Sequence, residues 1–141
     1  MKRKEFLKIA CGSVTGMVAA GFIQGCSSLP LATYRRKGEA IAIPKSAFAE
    51  TTFVLVQPEG FRYPIYLRRF NNDLYAAVLL QCTHKGCEVS PYDDSLECPC
   101  HGSTYSPDGK VTSSPATKNL TRFHVTTENE TILIHQREFA N

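Results

Sequence analysis

Two short segments of the chain each set a thiol close to an imidazole: Cys82-Thr83-His84-Lys85-Gly86-Cys87 and Cys98-Pro99-Cys100-His101-Gly102-Ser103. One residue separates Cys82 from His84, and two separate Cys98 from His101. Thiolate sulfur and neutral imidazole nitrogen are ligands for transition metals, and two of each complete a four-donor site. Zinc accepts such a set in a tetrahedron. Finger-type zinc sites, however, put two Cys in one half and two His in the other. Here each loop carries one of each, and Cys87 and Cys100 are left over. Elsewhere no nucleophile and base stand in a recognisable arrangement, so the chemistry points to a metal centre and to no catalytic side chain.

The paired motifs resemble the Rieske iron–sulfur family, strongly so over Gln81 to Thr117. The resemblance implies one [2Fe–2S] cluster per chain, with Cys82 and Cys98 on one iron and His84 and His101 on the other. Neutral imidazoles in place of thiolates raise the reduction potential. It also implies a disulfide between Cys87 and Cys100, as in the subgroup that includes the cytochrome bc complex proteins. In His101-Gly102-Ser103-Thr104-Tyr105, Ser103 and Tyr105 match family positions whose hydroxyls bond a bridging sulfide and a cysteine sulfur, a mark of high-potential members. Ser114-Pro115-Ala116-Thr117 resembles the loop that covers the cluster, departing from the usual Gly-Pro-Ala-Pro at its first and last residues. An iron-bound imidazole with its other nitrogen exposed exchanges a proton as the iron changes charge. By resemblance, His84 and His101 would present that surface to a quinol.

The function that the resemblance implies is a one-electron carrier, the iron–sulfur subunit of a quinol-oxidising cytochrome bc-type complex that passes its electron to a cytochrome. Oxidoreductase activity of the quinol–cytochrome c reductase type would then belong to the complex. The alternatives are the electron-transfer small subunit of an exported oxidoreductase such as arsenite oxidase, docked on a large redox subunit, and a structural zinc module. Ring-hydroxylating Rieske ferredoxins fit less well, since they usually lack the second cysteine pair and the two hydroxyls.

The elements that must position these loops read as β-structure. Ala40 to Ile43, Thr51 to Gln57, Phe61 to Phe70, Leu74 to Leu80, Thr121 to Thr126 and Thr131 to His135 are rich in Val, Ile, Thr and aromatics. Pro58-Glu59-Gly60, Asn71-Asn72-Asp73 and Pro107-Asp108-Gly109 supply turn chemistry, so antiparallel hairpins are expected. Ala47 and Phe48, after Pro44, suit at most one helical turn. The expected class is all-β, and the resemblance makes it stacked antiparallel sheets with two cluster-binding loops at one end. His124 and His135 fall in strands away from the loops and are expected to be structural.

At 141 residues the chain suffices for one domain with its own core. Its formal charge of +3 resides in the start, where Lys2, Arg3, Lys4 and Lys8 oppose only Glu5; from Cys26 onward there are twelve basic and twelve acidic residues. A balanced body gives no electrostatic case for nucleic acid, since phosphate binding requires a surplus of clustered cations. Residues 1–25 read as an export signal, with a cationic start and an apolar run from Ile9 to Ile23. That run is shorter than the roughly 20 residues a membrane-spanning helix requires. Ile23-Gln24-Gly25-Cys26 resembles a bacterial lipoprotein signal, which makes Cys26 the lipidation site, and Arg3-Lys4-Glu5-Phe6-Leu7 is similar to a twin-arginine signal with Lys4 in place of the second Arg. Residues 26–38, with Ser, Pro and Arg35-Arg36-Lys37, read as a flexible tether, and 39–141 as the domain. The expected location is the periplasmic or outer face of a bacterial membrane, held by a lipid anchor.

Overall fold

The structure, a computed structural model, describes residues 28–138. The expected export signal and Cys26 lie outside the described residues. Eleven strands and one 3-10 turn form the fold: β1 (Arg35–Lys37), β2 (Ala40–Pro44), the 3-10 turn Lys45–Phe48, β3 (Phe53–Val56), β4 (Ile65–Arg69), β5 (Tyr75–Leu79), β6 (Ser90–Tyr92), β7 (Ser95–Glu97), β8 (Thr104–Tyr105), β9 (Val111–Ser113), β10 (Arg122–Glu128) and β11 (Thr131–Glu138). All pairings between these strands are antiparallel. The larger sheet runs β1-β2-β11-β10-β5-β4-β3, and the smaller one β6-β7-β8-β9.

The tether differs from expectation. Arg35–Lys37 is an edge strand on β2, and upstream the chain adds to the opposite edge: Ala32 N donates to Leu55 O at 2.8 Å and Leu55 N to Pro30 O at 2.7 Å. Residues 30–37 therefore stitch together the two edges of the seven-stranded sheet, β3 and β1, across a stretch of a few residues. Each residue spans at most about 3.6 Å, so the sheet must be rolled for one short segment to reach both edges. Three consecutive cations hide this strand from a sequence reading, because charged residues are what edge strands carry.

Strands β3, β4 and β5 are apolar without alternation, and burial explains why. Val54, Val56, Ile65, Leu67 and Ala77 face the core of the large sheet with Ile41, Ile43, Ile132 and Ile134. The residues between them, Leu55, Tyr66 and Val78, together with Leu80, face a second core with Val89, Leu96, Tyr105 and Leu120. A strand buried on both faces reads as a continuous hydrophobic run. These three strands are thus a wall shared by the large sheet and the smaller sheet that bears the loops.

The smaller sheet is an insertion between β5 and β10 whose two ends return to the same place. Leu79 N donates to Thr121 O at 2.9 Å, and β10 pairs with β5 through Arg122 and Phe123. Its four strands, only two or three residues each, lack the hydrophobic period that announces a strand in sequence. The turn Ser106–Lys110 then leans the sheet onto the wall. A Cβ on Gly109, whose φ is +88°, would lie 2.7 Å from Val78 Cγ1. Gly109→Ala combines a left-handed backbone with overpacking, and is expected to cost about 2–4 kcal/mol. Denaturant unfolding of the purified variant measures it.

Candidate metal centre

Both loops are built on one backbone frame. In the first, Cys82 N donates to Cys87 O at 2.8 Å and Gly86 N to Cys82 O at 2.8 Å; in the second, Cys98 N donates to Ser103 O at 2.8 Å and Gly102 N to Cys98 O at 3.0 Å. The glycine that closes each frame has φ of 76° and 78° respectively, a left-handed conformation that side chains resist. The frame turns the leading cysteine's sulfur onto its own loop. The backbone amides of His84 and Lys85 act on the Cys82 thiol to lower it, and those of Cys100 and His101 act likewise on Cys98.

The disulfide Cys87–Cys100 ties the frames face to face. The other two cysteines, Cys82 and Cys98, are free, and 3% and 2% exposed. The rings of His84 and His101 meet edge to face with centroids 4.9 Å apart. His101 is exposed at the tip and His84 half-buried. The sulfurs of Cys87, Cys98 and Cys100 all lie within 4.8 Å of one another, but two of these are bonded together and cannot serve as thiolate ligands. His124 and His135 pair across β10 and β11 and are not brought to the loops.

Around this centre the polar groups are arranged with donors to spare. Tyr105, fully buried, sets its hydroxyl 3.3 Å from Cys82 Sγ and accepts from Thr83 N at 3.2 Å. Thr83 Oγ1, 3.1 Å away, gives its only proton to Lys118 O at 2.7 Å. The Tyr105 proton is therefore left for Cys82 Sγ or Thr83 Oγ1, and a thiolate is the stronger acceptor. Ser103, also fully buried, accepts from Ala116 N at 2.9 Å, and no acceptor among the described residues takes its own proton. His84 Nδ1 is buried with no hydrogen-bond partner. An orphaned ring nitrogen, two buried thiols and an unspent hydroxyl donor would be costly in a site meant to stay empty. They fit an acidic metal group with sulfur acceptors.

Burial pushes both thiols up. For Cys82 the hydrogen bond from Tyr105, then that from the His84 amide, outweighs burial and holds it below the ordinary thiol value. For Cys98 burial and the neighbouring Cys82 prevail, and its thiol is raised. Burial and the Cys82 sulfur likewise raise Tyr105.

Sequence reasoning missed three contributors. Tyr63, in the connection between β3 and β4, donates its hydroxyl to Gly86 O and anchors the first loop; no local signal marks so distant a contact. Thr83 was legible only as a spacer between ligands. Ala116 acts through its backbone amide, which pins the covering loop to Ser103.

The model of the Rieske [2Fe–2S] domain family matches residues 36–124. The chain is 46% identical over 55 residues to the protein named cytochrome b6-f complex iron-sulfur subunit 1 of Nostoc sp. PCC 7120, a match covering 38% of this chain and 31% of that protein. The matched part thus spans about a third of that relative's length. With cytochrome b6-f complex iron-sulfur subunit 2 of Trichormus variabilis the identity is 29% over 150 residues, covering 95% of this chain and 84% of that one. Among solved structures, the plasma membrane Rieske protein of Synechocystis PCC 6803 superposes with a TM-score of 0.56 at 24% identity, covering 64% of this chain and 93% of that one; at that identity it bears on fold alone.

In the metal-free protein, Tyr105→Phe removes the donor that most lowers Cys82. The sign follows: a lowered thiol holds more thiolate at any pH below its ordinary range, so the variant should need a higher pH to ionise it. Ultraviolet absorbance of the thiolate through an alkaline titration, with Tyr105→Phe against the parent, reads the shift.

Proposed function

This chain belongs to the Rieske [2Fe–2S] domain family, and on that footing we propose that it is the electron-carrying iron–sulfur subunit of a quinol-oxidising cytochrome complex. Cys82 and Cys98 would hold one iron of the cluster, and His84, through its orphaned Nδ1, and His101 the other. A Rieske cluster supplies reversible one-electron transfer at a potential raised by its imidazole ligands. The chain's own residues do the rest.

The Tyr105 hydroxyl set 3.3 Å from Cys82 Sγ is the observation that carries the reading. A donor aimed at a ligand sulfur stabilises the state with more negative charge, which is the reduced one, and so raises the potential. Ser103 adds a second donor from the opposite loop, and the disulfide joins the two loops. This combination is what an acceptor for quinol electrons needs, and what low-potential ferredoxins lack. Exposure of His101 supports it further, since an exposed imidazole can meet a hydroxyl donor.

The membrane attachment belongs to the same reading. Ile23-Gln24-Gly25-Cys26 supports a lipid anchor at Cys26, with export of residues 1–25 as the signal, and a domain held at the outer face of a bacterial membrane. No helix among the described residues is long and apolar enough to cross a membrane. Stitching of residues 30–37 to the sheet leaves only a short free stretch between Cys26 and the body.

Electron paramagnetic resonance of the dithionite-reduced protein, followed through a redox titration, tests the assignment. A Rieske signal with a positive midpoint is expected; a colourless, zinc-containing protein would overturn it. Copurification with cytochromes b and c is expected, whereas recovery with a large molybdenum subunit would move the chain to an exported oxidoreductase. Tyr105→Phe and Ser103→Ala should each keep the cluster and lower the midpoint. Losing one charge-assisted hydrogen bond of about 1.5 kcal/mol corresponds to roughly 60 mV for one electron. An unchanged midpoint in Tyr105→Phe would remove the role given to that hydroxyl. Replacing His101 with Ala should abolish the cluster's visible absorbance altogether.

A further inference from the structure

Cys98 stands where a second reaction is open to it. Its free sulfur shares a sphere of 4.8 Å with both sulfurs of the Cys87–Cys100 disulfide. Thiol–disulfide exchange needs only a thiolate and an accessible disulfide sulfur, and a reduced cysteine fixed at this distance reaches one by rotation about its own side-chain bonds. We propose that whenever no metal group holds Cys98, its sulfur attacks Cys87 Sγ and moves the bridge from Cys87–Cys100 to Cys87–Cys98.

The step balances within the chain. The Cys98 S–H proton passes to water, the Cys98–Cys87 bond forms, the Cys87–Cys100 bond breaks, and Cys100 leaves as a thiolate that takes a proton from water. One disulfide and one thiol enter and leave, so no oxidant or reductant is consumed. Cys87 is the sulfur attacked, because a bridge from Cys98 to Cys100 would close a ring over Pro99 alone, whose φ is locked near about −65°. Cys100 is exposed and Cys98 is 2% exposed, so exchange releases the leaving thiolate into water, where its charge is solvated.

The consequence for the centre rests on the assignment of Cys98 as a ligand. A sulfur bound to iron is withdrawn from attack, so an occupied site protects the native pairing. An empty site consumes one of its own ligands. Filling must then precede closure of the bridge, or occur in a chain kept fully reduced, and a chain that loses its metal under oxidising conditions cannot be refilled until a dithiol resets it.

The test uses the full chain. Its metal is stripped anaerobically with acid and chelator, no thiol reagent is added, and after incubation at mildly alkaline pH free thiols are alkylated and the bridges mapped by tandem mass spectrometry. Filled protein should show Cys87–Cys100 alone. Stripped protein should accumulate Cys87–Cys98 with Cys100 newly alkylated, and should lose the ability to be reconstituted until reduced with dithiothreitol. Cys82→Ser and Cys98→Ser each lack a ligand and are taken metal-free as purified; Cys82→Ser should still exchange, while Cys98→Ser should retain Cys87–Cys100. Persistence of Cys87–Cys100 in the stripped parent, a new bridge that excludes Cys98, or equal loss of the native bridge in Cys98→Ser would each overturn the proposal. Because the readout is bond connectivity, it stands apart from the cluster assignment, whose failure would show instead as a missing resonance in the filled protein.

Discussion

The bridge between Cys87 and Cys100 joins two loops that are otherwise held together by little. Each loop closes on itself through its own backbone frame, and neither donates a backbone hydrogen bond to the other. A metal group with ligands from both sides tolerates little drift between them, because its distances are fixed to a few tenths of an ångström. The covalent tie closes a span of 13 residues in sequence, which on chain-entropy grounds is worth about 3 kcal/mol against the unfolded state. Tyr105 adds to it by reaching from β8, which follows the second loop, to Cys82 and Thr83 of the first. The centre is therefore a clasp whose halves are individually stiff and jointly locked.

Stiffness of that kind has to be founded on something, and the foundation is the wall of β3, β4 and β5. Its residues alternate between two cores, so anything that shifts the wall moves both the rolled sheet and the loops at once. Tyr63 and Gly109 add two contacts to it, one through a hydroxyl on Gly86 O from the β3–β4 connection, the other through the absence of a side chain against Val78. Rigid support from both faces suits an electron carrier, since small changes in ligand geometry between redox states keep the barrier to transfer low.

The candidate site was legible because it depends on residue type and short spacing: Cys-x-His and Cys-x-x-His single out the candidate ligands whatever lies between. The long strands were legible too, since Thr51 to Gln57, Phe61 to Phe70 and Leu74 to Leu80 each contain an observed strand. The short strands β6 to β9 were not, because two or three residues cannot express a period. Nor was β1, whose Arg35-Arg36-Lys37 looks like a solvated linker until its partner strand is known. The 3-10 turn Lys45–Phe48 takes in Ala47 and Phe48, a stretch too brief for the sequence to decide. What sequence could not supply was the direction of protons: that Thr83 gives its hydrogen to Lys118 O and so releases Tyr105 for Cys82, or that Ala116 leaves Ser103 with a donor unspent. Such counts need partners distant in the chain.

The segment that stitches the sheet's edges also carries whatever pull reaches the domain from upstream. Pro30 and Ala32 bond to Leu55 in a parallel register, so tension along the chain runs along the strands and loads the two bonds together, in shear, instead of peeling them singly. Arg35–Lys37, antiparallel on β2, takes up the remainder beyond the stitch. The domain is in effect moored along the edge strand β3, and the residue that holds the mooring, Leu55, packs in the same core as Cys82 and Cys98.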